Sequence, residues 1–481
     1  MWKKILFGAT IILVLTDVYY SFIQHYNAQL DGDIPESMLP LSYIEPVFAD
    51  PFGLKMIIDN TPHAAPNRFF SHWLENRWFN TIPFVLQLVS DPIHSIYISQ
   101  AIYKTLIQIL LIYVLMIITF GSFNPFYRWE HWLVMLFYCS LFQSCGEVRS
   151  MGIIDPAVTY TFFYAMPLLF LLLYLLPFIF EEFHNKKMFH NKIISIAWSV
   201  IFVLLSNFSG PVNTGAALVF IVIIFFKYFC SYYKASNKKL NIKVFFEQIP
   251  KIFWYYLLPL GLIAIYSLYL GKYNTMWQEQ IPLKERFSLL PKGIFEMFID
   301  NLGFSILTLG SIINTILLLT VKNEESKKTI IMFGWILFFT FIYVILLPFG
   351  GYRYYRPYII RYDTIISITY AFIFYEVYSS VILFRNTTNN RKFKRIYIGY
   401  IIIFVGYFFF IDDPATWRNN AEKEMMYKIA RSKENTVLLD KKTSIIGWEA
   451  VDQIWKSENA AKCMKRWNIT KDEKLFYYKE K

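Results

Sequence analysis

Two carboxylates flank a glycine early in the chain, in the segment Asp31-Gly32-Asp33. The first long apolar run ends shortly before this segment, so the two acids lie close to a bilayer surface if that run spans a membrane. A carboxylate at such a place could take the proton from an attacking hydroxyl, which is general-base chemistry. The alternative is a solvated turn, because Asp and Gly both favour turns. We predict Asp31 and Asp33 as catalytic residues, and as the ligands of a divalent cation if the site uses one.

Other polar residues of the same region could contact a substrate. We expect such contacts from Glu36, His63 and His72. The two histidines have no carboxylate near them at ligand spacing, so ordinary loop histidines with satisfied hydrogen bonds are the favoured interpretation over a metal site.

The segment from 69 to 79 has the pattern of a helix that lies in the membrane interface. Its aromatic residues can share one broad apolar side, while its polar residues lie largely elsewhere. The aromatic residues are Phe69, Phe70, Trp73 and Trp78, and the polar ones are His72, Glu75, Asn76 and Arg77. Anchoring is the expected role, and a lipid-linked substrate would also need such a surface.

Three arginines form a second group with potential chemistry, on a short loop late in the chain: Arg353, Arg356 and Arg361. Arginine presents a planar fork that binds phosphate through two hydrogen bonds. We therefore predict that these arginines bind a phosphodiester or pyrophosphate, with Tyr352 and Asp363 as nearby substrate contacts. Binding of lipid headgroups, or salt bridges to nearby aspartates, is the alternative.

The elements that must position these residues are membrane-spanning helices. The chain has 481 residues, of which 56% are hydrophobic, whereas soluble domains are usually about 45–50% apolar. The excess lies in blocks long enough to cross a bilayer, and we predict about eleven helical spans. They lie near 5–22, 96–120, 130–146, 156–180, 193–207, 212–230, 252–270, 302–320, 330–348, 364–384 and 396–411.

Lysine and arginine in the loops predict the orientation. The basic loops become cytoplasmic if the N-terminus is cytoplasmic; these are 181–192, 231–251, 321–329 and 385–395. An odd number of spans then places the C-terminus on the opposite face of a bacterial cytoplasmic membrane. The same loops account for the net charge of +12, since basic loops face anionic lipid, and no nucleic-acid partner is needed.

The chain therefore divides into four parts in an all-α polytopic fold. These are an N-terminal span at 1–23, a large first extracytoplasmic loop with interfacial helices at 24–94, a bundle of about ten helices at 95–411, and a short extracytoplasmic tail at 412–481. A further segment at 271–300 should join the loop and the tail. The sequence has no P-loop, GxGxxG or HExxH motif and no zinc spacing among its four cysteines, so nothing indicates nucleotide-driven chemistry.

This layout resembles the GT-C superfamily of membrane glycosyltransferases. The resemblance covers nearly the whole chain, but its motifs are confined to Asp31-Gly32-Asp33 and the three late arginines. It implies a polyprenyl-phosphate-linked sugar as donor and inverting transfer to an acceptor hydroxyl of a glycan, lipid or protein. No cofactor is required, and a divalent cation is optional. The turn at 207–211 is similar to that of uncharacterised bacterial members.

Two other functions remain open. One is an O-antigen-type polysaccharide polymerase, which also joins lipid-linked sugars and uses arginine-rich loops, although its large loops usually come later in the chain. The other is a flippase or transporter of lipid-linked sugars, which should line a central path with charge. Lys104 and Glu376 are the clearest charged residues within the predicted spans, and a pair between them would be structural instead.

Overall fold

A computed structural model describes residues 2–126, 128–142, 151–237, 239–277, 281–300, 302–350, 358–386, 391–412 and 418–479. In this part of the chain nearly all regular structure is helical. The first loop and neighbouring bundle contain α1 (Trp2–Asn27), α2 (Ile34–Met38), α3 (Glu45–Ala49), α4 (Leu54–Asp59), α5 (Phe69–Phe79), α6 (Ile82–Leu86), α7 (Pro92–Phe120), α8 (Trp129–Leu141) and α9 (Val158–His184). The rest of the bundle and the tail contain α10 (Lys192–Asn207), α11 (Pro211–Ala235), α12 (Ile242–Gln248), α13 (Phe253–Tyr273), α14 (Leu283–Asp300), α15 (Leu302–Thr320), α16 (Glu324–Phe349), α17 (Ile366–Asn386), α18 (Arg391–Ile411), α19 (Asn420–Arg431) and α20 (Glu458–Arg466).

The long helices identify the chain as a polytopic membrane protein. Nine helices among the described residues are long and apolar enough to cross a membrane, namely α1 from Lys4 onwards, α7, α9, α11, α13, α15, α16, α17 and α18. The two remaining predicted spans coincide with shorter helices. Of these, α10 has 16 residues, and α8 has 13 residues and ends just before a part of the chain that lies outside the described ranges.

Local sequence explains where the long helices begin and end. Asp91 precedes α7, and its Oδ1 accepts from the backbone N–H groups of Ile93 at 3.0 Å and His94 at 3.2 Å. Pro92 follows as the first helical residue, where a missing N–H does no harm. Gly121 ends the helix with φ +58°, a conformation that glycine adopts easily.

The tail contains the one exception to an all-helical fold within the described residues. A short parallel pair joins β1 (Thr436–Leu439) to β2 (Leu475–Tyr478). The connection between the strands carries α20, as parallel pairing requires a crossover. The sheet and α20 therefore make the tail a small folded unit.

The tail packs directly on the first loop. Trp467 is fully buried, and its indole N–H donates to the carbonyl of Phe79 at 3.0 Å. Gln87 donates to the carbonyl of Trp467 at 2.8 Å, and Arg466 Nε donates to Asn80 Oδ1 at 2.5 Å. The loop and the tail therefore lie at the same end of the helical bundle.

The segment at 271–300 also contacts the first loop. The backbone N–H of Thr275 donates to the carbonyl of His63 at 3.2 Å, and the Asn274 side chain accepts from the N–H of Ala65 at 3.0 Å. These contacts agree with the predicted juxtaposition of the segment and the loop.

The segment from 69 to 79 forms helix α5, and its position in a membrane interface stays a prediction. The residues of α5 that are buried within the protein are Ser71, His72, Glu75 and Phe79. The aromatic residues predicted to anchor it, Phe69, Phe70, Trp73 and Trp78, are only half-buried. The polar side of α5 faces the protein interior, where His72 contacts Ser37 of α2 and Glu75 contacts Thr159 of α9.

Candidate functional site

Asp31 lies in the turn between α1 and α2 and is only 4% exposed. Its Oδ1 is 2.7 Å from the Thr159 hydroxyl oxygen, and its Oδ2 accepts from the Thr159 backbone N–H at 3.1 Å. Its Oδ1 also accepts from the backbone N–H of Asp33 at 3.1 Å. Thr159 belongs to the first turn of α9, where a helix leaves its N–H groups without internal partners. A carboxylate is favoured at that position because it complements the positive end of the helix dipole.

Glu75 reaches the same threonine from α5. It is fully buried, and its Oε1 lies 2.6 Å from the Thr159 hydroxyl oxygen. Burial, and then the negative charge of Asp31, raise the pKa of Glu75 well above its ordinary value. Burial, and then the charge of Asp33, raise the pKa of Asp31 to about 6, although hydrogen bonds from Thr159 oppose this rise. At neutral pH, Asp31 is therefore largely ionised, and Glu75 is the acid that holds a proton more readily.

The geometry at Thr159 supports the same protonation states. A threonine hydroxyl has a single hydrogen and can donate to only one acceptor at a time. Two carboxyl oxygens nevertheless lie within hydrogen-bond distance of it, at 2.7 Å from Asp31 and 2.6 Å from Glu75. The hydroxyl therefore donates to one carboxyl at a time, and the other carboxyl can bond to it only through a proton of its own. The higher pKa of Glu75 assigns that proton to Glu75.

His72 joins this network through Ser37. Its Nδ1 lies 2.8 Å from the Ser37 hydroxyl, and Ser37 also acts to lower the pKa of Glu75. Burial, and then the charge of Arg68, lower the pKa of His72 to about 3. The imidazole is therefore neutral, and it holds Ser37 in place rather than supplying charge. His72 lies behind Ser37 and Glu75 as seen from Asp31, and its predicted contact with a substrate stays a prediction.

Two more ionisable residues lie near Asp31. Asp155 precedes α9, and its Oδ1 accepts from the backbone N–H of Ala157 at 2.8 Å. Burial raises the pKa of Asp155 to about 7, and the charges of Asp363 and Asp31 add to that rise. Lys104 opposes it and donates to the carbonyl of Pro156 at 2.9 Å.

Arg361 makes a salt bridge with Asp363. Its Nη2 is 2.7 Å from Asp363 Oδ2, and its Nε donates to Oδ1 at 3.1 Å. A salt bridge to a nearby aspartate was the predicted alternative to phosphate binding, and Arg361 makes such a salt bridge. Gly152 fixes the neighbouring segment against this loop, because a Cβ on it would lie 2.5 Å from the Tyr362 Cβ.

Three of the predicted site residues fall outside the described residues. They are Tyr352, Arg353 and Arg356. Their role in phosphate binding stays a prediction.

Asp33 lies at the rim of the site instead of within it. Its backbone forms the turn that bonds to Asp31, while its Oδ1 accepts from the indole N–H of Trp448 in the tail at 2.9 Å. Glu36 is half-buried on α2, in the first turn of that helix. The two aspartates of the motif therefore have different environments, since Asp31 is buried and held by Thr159, whereas Asp33 lies beside the tail.

His63 belongs to a different part of the loop. Its Nδ1 hydrogen-bonds to the carbonyl of Ala64 at 2.9 Å, and its own carbonyl accepts from Thr275. It holds the first loop against the segment at 271–300, as expected of a loop histidine with structural partners.

The optional divalent cation does not fit the described residues well. The Asp31 carboxylate already accepts three hydrogen bonds, from Thr159 and the Asp33 backbone, and a cation would have to displace these donors. In the described ranges no group of three or more His, Cys, Asp or Glu side chains could hold a metal ion. We derive no catalytic step through a cation.

Several residues of the site were not predicted from sequence. Glu75 was noted as a polar residue of its helix but not as a site residue, although its spacing of three residues from His72 could have indicated a shared polar face. Asp155-Pro156 before an apolar run has the composition of a helix start, and this signal could have drawn attention to Thr159. Trp448 had no such signal, because only the folded tail brings it to Asp33.

A cavity of about 1000 Å³ lies on the tail, against the start of α7. It is lined by His94, Asn420, Lys423, Glu424, Met425, Tyr427, Lys428, Arg431, Ser432, Glu434, Val437, Leu438 and Asp440. Its walls do not include Asp31, and the small exposed fraction of Asp31 indicates that the buried carboxyl pair is covered in this conformation.

Comparison of the chain with known protein families, curated proteins and solved structures found no match.

Proposed function

We propose that this protein is a membrane glycosyltransferase that moves a sugar from a polyprenyl-phosphate-linked donor to an acceptor hydroxyl. The observation that carries this proposal is Asp31, an ionised but buried carboxylate, held by Thr159 at the start of a spanning helix. Asp31 is buried near the end of an apolar helical bundle. A general base in that position suits a reaction whose sugar donor is dissolved in lipid. The resemblance in layout to the GT-C superfamily points to the same chemistry.

Asp31 acts as the general base in this proposal. The acceptor oxygen attacks the anomeric carbon, and its proton passes to Asp31 as the new bond forms. The bond between the anomeric carbon and the phosphate oxygen breaks at the same time, and the lipid phosphate leaves with the electron pair. Attack from the opposite face inverts the configuration of that carbon. A pKa of about 6 keeps Asp31 ionised at neutral pH while leaving it basic enough to take a proton.

Arginine stabilises the departing phosphate in this proposal. A guanidinium has five N–H donors, which is more than the pair with Asp363 uses. Arg361 could therefore contact a phosphate oxygen while Asp363 holds its orientation. We assign the same role to Arg353 and Arg356, since preorganised positive charge lowers the barrier for a leaving phosphate.

The proposed site faces the outside of a bacterial cytoplasmic membrane. Basic residues are concentrated in the loops at the opposite end of the bundle from the first loop, which predicts that those loops are cytoplasmic. We propose about eleven spans, with α8 and α10 crossing alongside the nine longer helices. The donor then arrives from the outer leaflet, and the product joins a surface glycan or a modified lipid.

A transporter of lipid-linked sugar is less well supported. Lys104 lies near Asp155 and Pro156 at the first-loop end of the bundle. Glu376 instead accepts from the Tyr400 hydroxyl at 3.3 Å, among α15, α17 and α18. The two charges thus belong to separate polar clusters, which is unlike the charged path that a transporter needs.

The test compares envelope glycans from cells that lack the gene with those from complemented cells. Mass spectrometry of lipid-linked and surface glycans should show a missing sugar in the deletion strain, restored by the wild type. Asp31→Asn should lose about 10²–10⁴-fold in transfer rate. Asp59→Asn changes an exposed acid of the same loop and should behave as the wild type. Full restoration by Asp31→Asn, at equal membrane abundance, would refute the mechanism.

A further inference from the structure

An aromatic residue of the tail lies over the Asp31-Gly32-Asp33 turn. Trp448 is 51% exposed, which is unusual for so large an apolar side chain. Its indole N–H donates to Asp33 Oδ1 at 2.9 Å, which fixes the orientation of the ring. Gly32 makes this approach feasible, because a Cβ there would lie 2.6 Å from Trp448 Cδ1. Trp448 is therefore held in a defined position with much of its surface open to solvent.

The backbone that carries Trp448 is constrained by another buried carboxyl group. Ile446 has φ +46°, a left-handed conformation that a β-branched residue rarely adopts. Its N–H donates to Glu422 Oε1 at 3.0 Å, and Glu422 Oε2 accepts from the N–H of Leu30 at 3.1 Å. One side chain thus ties the Trp448 turn to the residue that precedes Asp31. Strained backbone of this kind persists where surrounding contacts determine it, and it is often found at functional sites.

A second aromatic ring extends this surface. Tyr160 follows Thr159, and its ring lies 5.7 Å from that of Trp448 at an angle of 46°. The two rings therefore form one aromatic surface next to Asp33, which accepts from the Trp448 indole N–H.

We propose that Trp448 and Tyr160 form a carbohydrate-binding subsite, and that the acceptor is a sugar rather than a lipid or a peptide. The apolar C–H face of a pyranose packs on an indole ring, while hydroxyl groups at the sugar's edge need acceptors such as the Asp33 carboxylate. Trp448 provides the apolar face and Asp33 provides the acceptor, and a hydrogen bond joins these two side chains. This inference rests on the proposed function, because it assumes that the sugar hydroxyl is presented to Asp31.

The first test measures binding to the full-length protein in detergent. Its tryptophans are replaced by 5-fluorotryptophan, and the Trp448 signal is assigned with Trp448→Phe. Cellotetraose, chitotetraose and mannotetraose are then added at millimolar concentration. We expect at least one of them to shift the Trp448 fluorine resonance and to leave that of Trp455, an exposed tail tryptophan, unchanged. If no oligosaccharide shifts the Trp448 resonance, the subsite is refuted. If that resonance shifts only when the protein is transferred into anionic lipid nanodiscs, the subsite is also refuted, and Trp448 is assigned to the membrane surface.

The second test separates this inference from the proposed function. With lipid-linked donor and the glycan acceptor identified by mass spectrometry, Trp448→Ala should raise KM for the acceptor about tenfold or more and change kcat little. Trp455→Ala should leave both constants unchanged. If Asp31→Asn is inactive while Trp448→Ala keeps the wild-type KM, the inference fails and the proposed function stands. If Asp31→Asn is fully active, the proposed function itself fails.

Discussion

Thr159 is the residue that connects the two buried acids of the candidate site. Its hydroxyl touches both Asp31 and Glu75, and its backbone N–H holds Asp31 at the start of α9. Burial raises the pKa of both acids, but Asp31 also accepts two backbone N–H bonds that oppose the rise. The two neighbouring acids therefore differ in how readily they ionise.

Removal of the Thr159 hydroxyl should change the pH dependence of transfer. Asp31 works as a base only when ionised, so the wild-type rate should fall as pH falls through about 6. The Thr159 hydroxyl lowers the pKa of Asp31, and Thr159→Val should therefore move this fall to higher pH. Thr159→Ser keeps the hydroxyl and should keep the wild-type profile. Rate measurements across pH check this, and identical profiles for Thr159→Val and the wild type would contradict it.

Glu75 should tolerate an amide but not an apolar side chain. A protonated carboxyl donates one hydrogen bond and accepts others, and the amide of glutamine can do the same. Glu75→Gln should therefore keep transfer within about threefold of the wild type. Glu75→Leu leaves buried polar groups unpaired, which typically costs about 1–3 kcal/mol for each group. Thermal unfolding and transfer assays compare the variants, and loss of activity in Glu75→Gln as severe as in Asp31→Asn would show that Glu75 acts as an ion.

At the scale of elements, the sequence was most informative where structure is local. The apolar blocks predicted the positions of the long helices, because a spanning helix satisfies its own backbone. The inward turn of α5 could not be predicted, since it depends on Ser37 and Thr159, which come from distant parts of the chain. The Asp31-Gly32-Asp33 motif was found from its composition. Only the folded structure shows that Asp31 is buried, whereas Asp33 lies at the rim beside Trp448 of the tail.

Contact between the tail and the first loop should depend on Trp467. Its side chain is fully buried, and Trp→Ala changes in a core typically cost about 3–5 kcal/mol. Trp467→Ala should release the tail from the loop, and limited proteolysis should then cleave between α18 and α20 while the bundle stays intact. Trp455 is 64% exposed, so Trp455→Ala should be cleaved as slowly as the wild type. Equal protection of both variants would mean that other contacts hold the tail.

At the scale of the whole molecule, the described loops at one end of the bundle are joined to one another. The first loop contacts the tail through Trp467 and the segment at 271–300 through His63. The predicted topology places the short basic loops at the opposite end. This predicted orientation can be measured directly.

Labelling of single cysteines with an impermeant thiol reagent should show that orientation. Cys230 is exposed, so it is first replaced by serine. Ile58→Cys and Lys456→Cys then lie on exposed parts of the loop and tail and should react in intact cells, whereas Lys239→Cys should react only after lysis. Reaction of Lys239→Cys in intact cells would reverse the predicted orientation.

Some positions are unsuitable for that experiment. A Cβ at Gly53 would lie 2.7 Å from Leu270 Cδ2. Ser457 is fully buried, and its hydroxyl accepts from the backbone N–H of Phe476. Low labelling at either position would report on packing instead of topology.

The contact between Glu422 and Leu30 has a consequence for biosynthesis. The ribosome makes Leu30 and Asp31 soon after the first span, but it makes Glu422 and Trp448 only after the last one. The nascent chain therefore carries an open acidic turn through the synthesis of the whole bundle, and the turn is covered only after Glu422 and Trp448 have been made. Polypeptides that stop after α18 would present the side of α5 that Trp467 normally covers, which is the kind of surface that quality-control proteases recognise. The first loop thus reaches its final packing only after all the long helices have been synthesised.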